Sequence, residues 1–334
     1  FHPMVLFLIL IPFISFFGTY ISNYYNDTRL LYLLIAILGS IYLLVAFDKI
    51  RFSKVYILTI LIIIISLSYH SSLISHQITG YDINIEYFIA NLVKQNSHWD
   101  QANPAQNVNA MLSIVMICPI YSIICNMDLT WVFKIIYPLF IILIALGLYV
   151  IYRKQTNDLI AFLSVFLFIL MMRSYTLMPR QNVAEFFLIL FILTMIEVNL
   201  DKIKRSFLFL IFGFCIVVSH YGLTYIFMAA LIALGSFRIF MKSRFYELIC
   251  RKTKGPLDNF EKYSVSTTYI LLFVVFSFAW YIIMTQSSAV NTITIVANQI
   301  ISAAWTDIFD PRYAQGSAIF LNKPQSFVYS IAKY

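Results

Sequence analysis

The chain has 334 residues, 61% of them hydrophobic and 11% charged, with a formal net charge of +8. Soluble domains carry about 25% charged residues, so a water-soluble globular fold is excluded, and the mean hydropathy of +0.84 indicates an all-α polytopic membrane protein. Nucleic acid is excluded as a partner, because Lys and Arg fall in short clusters between apolar runs, where orientation in a bilayer accounts for them.

A spanning helix needs about 20 mostly apolar residues. In chain order the runs 4–20, 31–47, 55–69, 131–152, 159–172, 183–200, 207–219, 221–237 and 268–284 predict about nine spans. No signal peptide is expected ahead of the first run, which follows Phe1 without a charged stretch or a small-residue cleavage site. Between the third and fourth spans lies a long polar interval, 70–130, interrupted by the apolar run 110–125 with Pro119 inside it.

The basic clusters are Lys49, Arg51 and Lys54; Arg153 and Lys154; Lys202, Lys204 and Arg205; and the stretch 238–254. They share one face only if 110–125 is interfacial or re-entrant. That arrangement predicts a cell-membrane protein with the basic clusters cytoplasmic and the 70–130 loop outside. Residues 1–285 then form the transmembrane domain, and 286–334, more polar, begin an outer soluble or interfacial region. Asn26-Asp-Thr28 matches a glycosylation triplet and falls outside in this topology. Cys118, Cys125, Cys215 and Cys250 lie in or beside apolar runs with no metal-ligand spacing, and read as small apolar fillers.

Three polar groups stand out on the outer side. Asp82 and Glu86 lie four apart in Gly80-Tyr-Asp-Ile-Asn-Ile-Glu-Tyr-Phe88, so a helix after Gly80 sets both carboxylates on one face, suited to acid/base chemistry. Arg173 and Arg180 bracket a turn between two spans, followed by Gln181 and Glu185; ionisable groups beside hydrocarbon are costly, and arginine forks match phosphate oxygens. His220, in Val218-Ser-His-Tyr-Gly222, breaks an apolar stretch where the chain turns between spans.

Gly80-Tyr-Asp-Ile-Asn-Ile-Glu-Tyr87 in a long outer loop, an apolar non-spanning segment, and then a span closed by Arg153-Lys154 together resemble the GT-C superfamily of membrane glycosyltransferases. Trp131-Val-Phe-Lys-Ile-Ile-Tyr-Pro138, Tyr152-Arg-Lys-Gln-Thr-Asn-Asp158 and Ser219-His-Tyr-Gly222 add a likeness to archaeal polytopic proteins of that type. Three candidate spans precede the loop, where the superfamily usually has one. The resemblance implies transfer of a sugar from a polyprenyl-phosphate-linked donor to a protein, glycan or lipid acceptor at the outer face. It maps an acidic residue acting on the acceptor onto Asp82, with Glu86 beside it. Arg173, Arg180, Gln181 or His220 would hold the phosphate, and Tyr81, Tyr87 and Trp99 would stack on sugar rings. A divalent metal, Mg or Mn, would take oxygen ligands from Asp82 and Glu86. The competing class is a secondary transporter or lipid flippase, which commonly places ionisable groups at the bilayer midplane rather than in an outer loop.

Overall fold

A computed structural model describes residues 3–47, 53–80, 82–101, 106–171, 178–241 and 265–285, with a few positions between 294 and 302. No strand occurs among the described residues. An α-helix satisfies its own backbone groups, which a chain in hydrocarbon requires.

Helices α1 (Pro3–Tyr25), α2 (Arg29–Ala46) and α3 (Ser53–Leu73) are followed by α4 (Asp82–Asn96) and three short helices, α5 (Gln106–Asn109), α6 (Leu112–Val115) and α7 (Ile117–Ile124). Next, α8 (Leu129–Trp131), a π-helical turn (Val132–Ile136) and α9 (Tyr137–Gln155) run on as one rod. Then come α10 (Asp158–Met171), α11 (Pro179–Ile196), α12 (Lys202–Val217), α13 (Tyr221–Met241) and α14 (Thr267–Met284). Among the described residues, seven segments are long and apolar enough to cross a membrane: α1, α2, α3, the rod Leu129–Gln155, α11, α13 and α14.

The other two expected spans are helices, but short ones. With 14 residues in α10 and 16 in α12, they reach about 21 and 24 Å, against a hydrocarbon core of about 30 Å. A tight turn precedes α10 and another closes α12. The Asn157 side chain accepts from the Ile160 amide at 2.9 Å and starts α10, and Ser219-His220 closes α12 before α13 begins.

The 110–125 run does not form a span. Its longest helix, α7, has eight residues, about 12 Å of rise, and Pro119 lies in the first turn of α7, where a missing amide is tolerated. The interval around it leaves and re-enters the bundle at one end. Ser72, at the close of α3, donates to the Lys134 carbonyl at 2.6 Å, and Tyr69 donates to the Ile135 carbonyl at 3.0 Å. Those two carbonyls belong to the π turn at the entry of the rod, where the wider winding disturbs the ordinary i to i+4 pattern.

The opposite end collects basic residues. Lys154, in the last turn of α9, pairs with Glu197, after α11, and the Arg238 guanidinium, late in α13, donates to the Val265 carbonyl just before α14. Tyr56, near the start of α3, stacks on Phe162, near the start of α10, at 5.0 Å, so α3 also begins at this end. Lys49 and Arg51 lie outside the described residues.

Two apolar cores hold the bundle. Leu8 and Ile11 of α1, Ile60 and Ile63 of α3, Ile141 of α9 and Phe162 of α10 are fully buried together. Phe191 of α11, Phe209 and Ile216 of α12, Phe227 of α13 and Phe273 of α14 form the second core. Gly147 lets α9 and α11 approach closely, since a Cβ there would overlap Ile189. Cys118 is buried, as an apolar filler is, whereas Cys125 is exposed and Cys250 lies outside the described residues.

Candidate functional site

Asp82 opens α4, and Glu86 follows one turn later on the same face. That face turns toward the start of α11. Ile83 and Ala90 of α4 pack with Val183 of α11 and Phe133 and Tyr137 of the rod, which brings both acids to Arg180. Pro179 at the first position of α11 suits a helix start, having no amide to leave unbonded. Arg180 therefore projects from the first turn.

Arg180 Nη2 donates to Asp82 Oδ2 at 2.7 Å, and Arg180 Nε lies 2.9 Å from Glu86 Oε1. The side chains differ in exposure: 58% for Asp82, 8% for Arg180 and 0% for Glu86. Asp82 is thus the acid that meets solvent, and Glu86 lies beneath it. Neither Glu86 oxygen receives a well-aligned hydrogen bond among the described residues, so its contact with Arg180 is one of charge more than of geometry. Burial pushes the Glu86 carboxyl up to about 7, with Arg180 opposing the shift and Asp82 adding to it. A carboxyl near neutrality exchanges protons readily at working pH.

The Arg180 guanidinium carbon also sits 5.6 Å from the Tyr221 ring centre, within range of a cation–π contact. Tyr221 stacks in turn on His220 at 5.5 Å and 14°. His220 Nδ1 accepts from the Leu223 amide at 3.0 Å, so the imidazole caps the start of α13 as an Asn or Ser side chain does elsewhere. The proton of the neutral ring then sits on Nε2. Burial first, and the Arg180 charge second, pull this imidazole down to about 4, with Asp82 acting the other way. Below, Tyr281 donates to the Val217 carbonyl at 2.6 Å and its hydroxyl oxygen lies 3.0 Å from the Thr224 hydroxyl, tying α14 to the α12–α13 reversal.

The structure thus brings together Asp82, Glu86, Arg180 and His220 from the sequence-based set. Gln181 is beside them but engaged elsewhere, donating to Glu185 at 2.7 Å. Tyr87 packs on Phe133 at 5.9 Å. Trp99 donates its indole N–H to the Asn109 side chain at 2.9 Å and sits in a small cluster with Ile89 and Val93, which makes it a brace for the loop. Tyr81 and Arg173 lie outside the described residues.

As a metal site the two carboxylates fit poorly. Both are turned to a guanidinium, and no group of three or more His, Cys, Asp or Glu side chains among the described residues could hold an ion.

Two residues escaped the sequence reading. Tyr221, under Arg180, stands inside the Ser-His-Tyr-Gly phrase, and an aromatic next to a helix-capping His was the available signal. Lys134 was visible as a lone charge in an apolar run. It is 5% exposed and donates to the Ser72 carbonyl at 2.9 Å and to the Ser75 carbonyl, so it holds the segment that leads from α3 toward Gly80.

Residues 205–334 match the family model described as "Predicted membrane protein (DUF2206)". No curated protein and no solved structure matches the chain. The chain is a helical membrane protein of multi-pass type, similar over residues 205–334 to that family of predicted membrane proteins.

Proposed function

We propose that the chain is a glycosyltransferase of the cell membrane that moves a sugar from a polyprenyl-phosphate donor to an acceptor hydroxyl of a protein, glycan or lipid at the outer face. The observation that supports this reading most is the convergence of two carboxylates of unequal exposure, Asp82 and Glu86, on the single guanidinium of Arg180. Glycosyl transfer asks for those parts: a base for the acceptor and a cation for the leaving phosphate.

Asp82, the solvent-facing acid, takes the acceptor hydroxyl proton. The freed oxygen pair attacks the anomeric carbon, and the carbon–oxygen bond to phosphate breaks with its electrons going to the phosphate oxygen. As Asp82 becomes neutral its hold on Arg180 weakens, so the guanidinium charge turns to the departing phosphate as negative charge grows there. Glu86, buried below, keeps Arg180 anchored through the step, and Tyr221 supports the guanidinium from its face. His220, neutral at working pH, offers Nε2–H as a further donor.

The binding half of this reading is tested by mass spectrometry of lipid retained by the purified chain after incubation with polyprenyl phosphate. Wild-type protein is expected to retain the phosphate lipid, and Arg180→Ala to retain roughly tenfold less, the loss of one charge-assisted phosphate partner. Equal retention by both removes Arg180 from the donor site.

A further inference from the structure

At the basic end of the bundle, away from Asp82 and Arg180, the faces of α12 and α14 leave a groove. Its wide part is a cavity of about 710 Å³ whose lining includes Lys202, Arg205 and Arg238 and the hydroxyls of Ser266 and Thr268, with no carboxylate among the described lining residues. Among the described residues, the acids nearest in the chain to Lys202 are committed to other cations: Glu197 to Lys154 and Asp201 to Lys204. Both arginines are held in place, Arg205 by the Glu197 carbonyl and Arg238 by the Val265 carbonyl.

A second cavity of about 360 Å³ continues from the first, sharing Leu210, Tyr269 and Leu272 with it and running on to Phe276. It is lined by apolar and aromatic residues and Gly213. Gly213 fixes its floor. A Cβ there would overlap the Tyr269 hydroxyl, which donates to the Phe209 carbonyl at 2.9 Å. Leu210 and Leu272, on the rim, are 50% and 53% exposed, and Leu272 belongs to a membrane-length helix, so the apolar half opens toward hydrocarbon.

We propose that this groove binds one anionic membrane lipid, its phosphate at Lys202, Arg205 and Arg238 and an acyl chain along Leu210, Leu272 and Phe276. Charge complementarity selects the headgroup, since basic residues near a membrane surface attract anionic lipids. The apolar extension selects a lipid over a soluble phosphate, which would leave the second cavity unfilled. The site is separate from the proposed donor site: α12 runs from Lys202 at the groove to Val217 beside His220, 16 residues or about 24 Å.

The test uses the full chain in nanodiscs of phosphatidylcholine doped with phosphatidylglycerol of the same acyl chains, with retained lipid read by native mass spectrometry. One phosphatidylglycerol is expected to stay bound in preference to phosphatidylcholine. Lys202→Gln with Arg238→Gln should lower its retention by roughly tenfold or more. Because Arg238 also supports the backbone at Val265, Lys202→Gln alone, at an exposed position, is the variant that leaves the fold intact and should give part of the loss. Leu272→Trp, which fills the apolar channel and keeps every charge, should lower retention independently. Equal retention of the two lipids, unchanged retention in both the charge and the channel variants, or displacement by millimolar inorganic phosphate would overturn the proposal. Retention of polyprenyl phosphate at Arg180 reports on the other site and is expected to be unaffected by all three variants.

Discussion

Arg180 holds three neighbours at once, Asp82 and Glu86 through its nitrogens and Tyr221 through the face of its guanidinium. The Asp82 arm is more than half exposed, and such pairs contribute about 0–1 kcal/mol. The Glu86 arm is buried, and removing one partner of a buried pair costs on the order of 3 kcal/mol. The pH dependence has a definite sign. In the folded chain Glu86 titrates at about 7, against 4.5 for the free side chain, so between those values the folded state binds the extra proton and its stability falls as pH rises. Below pH 4.5 both states are protonated and Glu86 adds no slope. Arg180→Ala removes the pull that keeps Glu86 from shifting higher still, so its cost should be small at acidic pH and largest at alkaline pH, and Glu86→Gln in the same chain should recover most of it. Thermal unfolding of the two single variants and the double variant across pH measures this; additive losses with no pH dependence would contradict a buried ion pair. The partners were legible in the sequence as rare ionisable residues beside apolar runs. Their pairing was not, because a separation of 98 positions between Asp82 and Arg180 carries no signal of which acid meets which base.

At the scale of elements, the π turn at Val132–Ile136 and the end of α3 are tied together. Lys134 donates to two carbonyls, of Ser72 and Ser75, and its own carbonyl accepts from Ser72. Lys134→Met leaves those buried carbonyls without their donor at about 1–3 kcal/mol each. The segment between α3 and α4 should then open more often. Hydrogen exchange of amides 74–80 is expected to quicken by at least tenfold while exchange in α9 is unchanged; uniform exchange in both would show that Lys134 does not hold this segment. Helix existence was readable from apolar runs, and the failure of 110–125 to cross was readable from its length and Pro119. The shortness of α10 and α12 was readable too, since the apolar runs 159–172 and 207–219 fall short of the roughly 20 residues a span needs. The roles expected of Tyr87 and Trp99 show a limit. Aromatic residues in an outer loop suggest a sugar platform, yet Trp99 braces Asn109 and Tyr87 packs on Phe133, contacts that depend on how the short helices fold back.

Over the whole molecule the charges separate by end. The last turn of α9, the first turn of α12 and the last turn of α13 hold Arg153, Lys154, Lys202, Arg205 and Arg238 at one end, and the acid pair with Arg180 lies at the other. The sequence reading expected all four basic clusters on one face; Arg153 and Lys154, Lys202 and Arg205, and Arg238 come to this end, while Lys49, Arg51 and the rest of the fourth cluster lie outside the described residues. What charge counting cannot give is the groove between α12 and α14, where Gly213 leaves room for the Tyr269 hydroxyl to reach the Phe209 carbonyl. Under the proposed function the two ends divide the work, lipid anchoring at the basic end and transfer at the acidic end. The most direct measurement is sugar transfer from a radiolabelled polyprenyl-phosphate donor by the reconstituted chain and by Asp82→Asn, which keeps size and hydrogen bonding but cannot accept the proton. The wild-type chain should form labelled product, and Asp82→Asn should be slower by about two to four orders of magnitude while still retaining the donor. Full activity in Asp82→Asn would contradict its role as base, and energy-coupled uptake of a solute with no covalent product would contradict glycosyl transfer itself.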